Sequence, residues 1–288
     1  MTRPRLFLVG APKCGTTSLH AYLSQHPQVY LCDPKEPHYF GDVRLPVMPV
    51  MAEEEYLALF AEAGDGVVTG EASTGYLYAR DAAAEIRAFQ PEARIVAVLR
   101  DPVDRAYSHY WHNVLALQED LPFEAALAAE EQRIAAGVPY RSHYVACGRY
   151  AEQLERYWEA FGRSAVQVFT FEEVVRDAGD VCRRIFEHLG LEPGVQVDTS
   201  RRHNPSGAQR SRLAARLIAE RSGWKEPLKR VLPAGTRQRI KGWLQRANRK
   251  QAPPMEAGTR QELCRRLRPE VERLEEALGR DLSAWKEG

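Results

Sequence analysis

Cysteine is scarce in this 288-residue chain, and its five copies (Cys14, Cys32, Cys147, Cys182 and Cys264) are odd in number and scattered, without the short spacings of metal ligands. That pattern predicts neither a disulfide framework nor a zinc site, and it fits a reducing, cytoplasmic setting. Charge of one sign is missing as well: 40 Lys and Arg against 39 Asp and Glu leave a formal net charge of +1. A general nucleic-acid binder needs a basic surplus for its phosphate contacts, so no nucleic-acid partner is expected, whereas a compact anion needs only a local basic pocket. No run approaches the roughly 18 uninterrupted apolar residues that mark a membrane span. The opening MTRPRLFLVGAPKCG holds only about five consecutive apolar residues, fewer than the roughly 7–15 of a signal-peptide core, so neither a transmembrane segment nor an export signal is expected. Internal repeats and low-complexity tracts are absent too, and oligomeric state is unreadable.

What is present is an ordinary globular composition, 44% apolar and 27% charged, on a chain long enough to bury a sizeable core. A single domain over residues 1–288 is the expectation, helix-rich from about 207. Strand, turn and helix alternate, which predicts an α/β fold: a P-loop-like, mainly parallel sheet flanked by helices, with a helical C-terminal part. Arg5 to Val9 reads as the first strand, and Thr16 to His26 as a helix stopped by Pro27. Arg94 to Leu99 is β-prone and ends at Arg100-Asp101-Pro102, where proline removes a backbone donor; Ala165 to Thr170 is a third strand. One long helix is expected from Glu172 to Leu189, stopped by Gly190, and an amphipathic helix from Glu262 to Leu282.

Gly10-Ala-Pro-Lys13-Cys14-Gly15-Thr16-Thr17-Ser18 falls where the first strand becomes a helix. Free N–H groups of a helix's first turn, its positive dipole end and three hydroxyls make that stretch an anion cradle. The pattern G-x-x-x-x-G-K-[ST] is nearly met, but Thr16 stands where the lysine belongs and Lys13 lies inside the loop. A phosphate-transferring ATPase or kinase would also end an apolar strand on a magnesium-binding Asp, whereas here Arg100 comes first, a better partner for a second phosphate than for a metal. The bland alternatives are a tight turn with a capped helix for the loop and a structural Arg100–Asp101 pair.

Two segments carry a family resemblance. FLVGAPKCGTTSLHAYLSQHP resembles the 5′-phosphosulfate loop of sulfotransferases that use 3′-phosphoadenosine-5′-phosphosulfate (PAPS), and VLRDPVDRAYSHYWH resembles their 3′-phosphate segment. The similarity continues through GRYAEQLERYWEAF, VFTFEEVVRDAGDVCRRIFEHLGLEP and LEEALGRDLSAW, nearly the whole chain. The resemblance implies a PAPS-dependent sulfotransferase that releases 3′-phosphoadenosine 5′-phosphate (PAP) and requires no metal. It implies donor binding by Lys13, Cys14, Gly15, Thr16, Thr17 and Ser18, with Lys13 also catalytic, and 3′-phosphate binding by Arg100 and Ser108, the latter expected at the start of the helix after Pro102. Arg210, in the basic turn Arg201 to Arg210, is a candidate to close over the same phosphate.

The proline-stiffened loop Cys32 to Phe40 holds a second group of candidates, since loops present reactive side chains on a rigid sheet. Lys-Glu-Pro-His-Tyr-Phe, residues 35–40, resembles the Glu-x-His-Phe-Phe stretch of heparan-type sulfotransferases, which implies Glu36 as general base with His38 as its partner. Glu36 paired with Lys35 as a solvated loop carboxylate is the plain alternative. The chain departs from the heparan type at Ala72, where those enzymes carry lysine, at Thr17 and at Gly41; a smaller or less charged acceptor, small-molecule or natural-product-like, is therefore expected. Tyr107, Tyr110 and Trp111 read as core rather than as an adenine platform, and the basic Trp224–Lys250 stretch as a solvated helical face. A small-molecule P-loop kinase and a non-catalytic nucleotide binder stay open as other functions.

Overall fold

A computed structural model describes residues 2–42, 51–201, 208–209 and 249–287. Five parallel strands form one sheet in the order β2-β3-β1-β4-β5: β1 Leu6–Gly10, β2 Val29–Leu31, β3 Val68–Glu71, β4 Arg94–Leu99 and β5 Val166–Thr170. β1 is buried throughout, as is β4 after its first residue, because helices cover both faces; that is why the two read as continuous apolar runs rather than alternating ones. After β1 the chain builds one side of the sheet through β2 and β3, then returns to build the other through β4 and β5. The order therefore reverses at β1, and the crevice at the carboxyl ends of strands beside such a point is where ligands bind in open α/β sheets.

Helix α1, Thr16–Leu23, follows β1; α2, Glu53–Ala58, and α3, Ala82–Phe89, flank β3; α4, Pro102–Leu115, follows β4. α4 begins at Pro102 with Asp101 as its cap, whose Oδ1 accepts from the N–H groups of Val103 and Asp104. α5, Phe123–Ala128, α6, Glu130–Ala135, and α7, Tyr150–Phe161, come before β5. The helix expected from Glu172 to Leu189 is two: α8, Phe171–Arg176, and α9, Ala178–Leu189, parted at Asp177. Asp177 sits at an extended φ of −152° and its Oδ1 accepts from the Asp180 N–H at 2.9 Å, so it caps a new helix instead of continuing the old one. The terminal helix, α10, runs Ala257–Leu278 and stops at left-handed Gly279.

Tyr110 is buried, and Tyr107 and Trp111 pack, against a second apolar cluster between α4, α5 and α10, as core residues do. Ala208–Gln209 (β6) pairs antiparallel with Arg249–Lys250 (β7) and lies against α4. Arg210 and all but the last two residues of the basic 224–250 stretch lie outside the described residues. Among those that are described, no helix is long and apolar enough to cross a membrane, and all five cysteines are free and buried.

Candidate active site

The loop between β1 and α1 is shaped by what presses on it. A Cβ at Gly10 would lie 2.6 Å from the Leu77 Cβ, and Gly15 takes φ +82° with the Phe171 ring 3.1 Å from where its Cβ would be. Both positions are therefore closed to larger residues. Lys13 between them holds φ +72°. Four non-glycine residues among those described have positive φ, and three of them are Lys13, Glu36 and His38. Such backbone costs about 1–3 kcal/mol per residue, persists only where the surroundings impose it, and clusters at binding and catalytic sites.

The loops face each other across a cavity of about 590 Å³ at the carboxyl end of the sheet. Pro12, Lys13, Gly15, Thr16, Thr17 and Ser18 form one wall and Arg100 another, with Glu36 and Thr74 opposite. Four side chains that are always or usually cationic, Lys13, Arg100, Arg141 and Arg176, meet only two carboxylates, Glu36 and Asp177, so the cavity favours an anion. Cys14 is the exception among the cradle residues: its side chain is fully buried, its N–H is already given to the Ala11 carbonyl at 3.3 Å, and burial pushes its thiol up to about 11. It offers the cavity neither donor nor thiolate.

Arg100 does not pair with Asp101, which is occupied as the α4 cap. Its guanidinium lies 4.9 Å above the Phe171 ring centroid, with Nη2 3.5 Å from Asp104, a long, half-exposed pair of little strength. Ser108 is the seventh residue of α4 rather than its first, is nearly buried, and is not among the side chains that wall the cavity. The α4 residues that do are His109 and His112.

Glu36 reaches the cavity with its side chain 27% exposed, whereas His38 stands behind it, buried, with Nε2 3.4 Å from Glu36 Oε2. Lys35 Nζ donates to Glu36 Oε1 at 2.6 Å and the Thr74 hydroxyl reaches the same oxygen at 3.4 Å. Burial alone would raise the Glu36 carboxyl, but hydrogen bonding by His38 and the charge and hydrogen bond of Lys35 outweigh it and bring it down to about 2. Because that lies below the ordinary 4.5, the stability it contributes is present above about pH 4.5 and is lost as pH falls toward 2. Lys35→Met removes two of the lowering influences and leaves burial in place, so the carboxyl is expected to rise; a ¹³C-NMR titration of Glu36 that shows no rise would refute the assigned cause.

A buried carboxylate holds this loop in place. Glu71 has no exposure and accepts from the hydroxyls of Tyr56 at 2.6 Å, Ser73 at 2.6 Å and Tyr76 at 3.0 Å. Ser73 Oγ in turn accepts the His38 N–H, and the Tyr76 hydroxyl accepts those of Tyr39 and Phe40. Burial raises the Glu71 carboxyl despite these donors. Its oxygens face the hydroxyls and not the cavity, so it orients the loop and does not meet a ligand.

Sequence reasoning also left out Tyr140 and Arg141, the α8 and α9 residues Val174 to Ala178, Tyr22, and Thr199, all of which line the cavity. Tyr22 ties α1 to the last of these through its hydroxyl, which donates to the Thr199 and Arg201 carbonyls.

Fold and cavity together define a P-loop-like α/β protein with a cavity that carries more cations than carboxylates and whose lysine lies within the loop. Residues 3–204 match the sulfotransferase domain family, and the chain belongs to that family. It is 33% identical to a structurally characterised sulfotransferase from Alicyclobacillus acidocaldarius, with a TM-score of 0.78 and 100% of each chain covered. It is 27% identical to carbohydrate sulfotransferase 15 of Mus musculus, over 66% of this chain and 44% of that protein. It is 29% identical to heparan sulfate glucosamine 3-O-sulfotransferase 3A1 of Mus musculus, over 66% of this chain and 46% of the relative. The chain thus matches less than half the length of these two relatives.

Proposed function

We propose that residues 1–288 act as one domain that transfers a sulfuryl group from PAPS to a hydroxyl or amine of a small-molecule acceptor, in a reducing cytoplasm. The observation that carries this is the placement of Lys13 and Arg100 on two walls of one cavity, with the Phe171 ring lying under the Arg100 guanidinium and against Gly15 of the cradle. A donor with phosphates at both ends of its ribose needs two such sites. In the step itself the acceptor oxygen or nitrogen forms a bond to sulfur as the bond from sulfur to the bridging oxygen breaks. PAP leaves with that oxygen, and the acceptor proton passes to Glu36.

Lys13 offsets charge on the departing oxygen, the cradle from Gly15 to Ser18 holds the 5′-phosphate, and Arg100 holds the 3′-phosphate, with Ser108 and Arg210 as further candidates there. His38 orients Glu36 from behind. The test is calorimetry in the presence of a chelator. PAP is expected to bind without metal, and Arg100→Ala to weaken PAP about ten- to a hundred-fold more than adenosine 5′-phosphosulfate, which lacks the 3′-phosphate. In a parallel titration without chelator, a response to magnesium-ATP with none to PAP would replace this reading with a kinase.

A further inference from the structure

Among the described residues Arg105 is the largest fully buried side chain, with no exposure at all. Its Nη2 donates to the Tyr144 carbonyl, and Nη1 lies 3.2 Å from Nδ1 of His109, one turn along α4. No carboxylate is paired with it among the described residues, an expensive state for a buried cation unless an anion comes near. A guanidinium has only donors, so His109 Nδ1 must accept, and a neutral imidazole that accepts at Nδ1 carries its proton on Nε2. Burial first, then the nearby Arg105, with smaller influences from His112, Lys13 and Arg141, hold the His109 imidazole well below its ordinary range and therefore neutral. The ring lines the cavity beside Lys13 and Arg100, and among the described residues no group bonds to Nε2.

We propose that His109 donates its Nε2 hydrogen to an oxygen of the donor's sulfuryl group, and that Arg105 is the positioning residue which fixes the ring in the tautomer able to do so. The assignment rests on the sulfuryl-donor reading and adds a contact to the transferred group itself. Lys13 serves the leaving oxygen and Glu36 the acceptor proton; the three outer oxygens of the sulfuryl group require donors of their own, and a neutral N–H supplies one without adding a further cation to an already positive wall. Arg105 is not itself among the cavity-lining residues, so it acts through the ring of His109.

PAPS and PAP differ by the sulfuryl group, so the paired affinities isolate this contact without an acceptor. His109→Ala is expected to weaken PAPS about tenfold while PAP stays within about twofold. His109→Gln, whose amide nitrogen can reach the place of Nε2, should restore the difference, and His109→Asn should not. Nitrogen-15 NMR of wild-type imidazoles should show protonated Nε2 and bare Nδ1 between about pH 6 and 8. Equal losses for both nucleotides, no loss for either, or a ring protonated on Nδ1 would overturn the assignment while leaving the donor reading intact. Failure of the wild-type protein to bind either nucleotide would overturn that reading, and this assignment with it.

Discussion

Glu36→Gln is expected to lower turnover by two or more orders of magnitude while PAP affinity changes by no more than a few-fold. Gln keeps the shape of the side chain and can still accept from Lys35 and Thr74, but it cannot take a proton, and general-base catalysis typically supplies about a hundred- to ten-thousand-fold. The division of labour follows from the walls of the cavity: the cradle and Arg100 hold anions, and a carboxylate near phosphates would only repel them. At about 2 the Glu36 carboxyl is ionised throughout the working range, so the acid side of the kcat/KM profile should be flat between about pH 5 and 8. So acidic a base is a weak one, and the Lys35 bond at 2.6 Å must loosen for the proton to be taken. Single-turnover conversion of PAPS to PAP, with a simple phenol as acceptor, is the measurement. Near wild-type turnover with PAP binding intact would place the base elsewhere. His38 would then be the next candidate, since Glu71 is turned toward three hydroxyls.

Lys13→Ala is expected to cost about a hundred- to a thousand-fold in the same single-turnover rate, the range seen when one preorganised donor is removed from a developing oxyanion. The left-handed backbone at Lys13 and the two glycines around it fix the direction in which the side chain leaves the loop. A lysine so placed acts on charge that grows during the reaction more than on charge already present. The loss should therefore fall on the rate and only modestly on PAP affinity. Should the variant instead lose PAP affinity with its rate retained, Lys13 would be a uniform binding contact.

The parts of the protein legible in the sequence are those where local chemistry and tertiary role agree. β4, Arg94–Leu99, matches its expected bounds, β1 is displaced by one residue and β5 begins one residue late and ends as expected, because apolar β-branched runs have no competing use in the interior of a parallel sheet. α1 starts at the expected Thr16 but ends at Leu23, three residues short of His26, whose ring reaches the Glu192 carbonyl. β2 and β3, three and four residues long, carry too little pattern to be seen and owe their pairing to the strands beside them. The cradle, Arg100 and the Glu36 loop could be placed because backbone-shaping Gly and Pro lie among charged side chains. His109 could not, since it alternates with Tyr107, Tyr110 and Trp111 on a helix that reads as core. The signal was the Arg105 four residues earlier, a cation on the buried side of an amphipathic helix. Tyr140, Arg141 and Thr199 come to the cavity from distant loops, which only tertiary structure can assemble.

Phe171 touches two walls of the cavity, its ring 3.1 Å from the position of a Gly15 side chain and beneath the Arg100 guanidinium. That makes the ring a gauge block. Its thickness sets the span between the cradle and the guanidinium, and since it begins α8 directly after β5 it is anchored to the sheet rather than to either loop. A nucleotide whose anionic groups are all strung along one side of the ribose can satisfy one jaw but not both. On the proposed donor reading, selection among nucleotides becomes a comparison of lengths, made before any base is read.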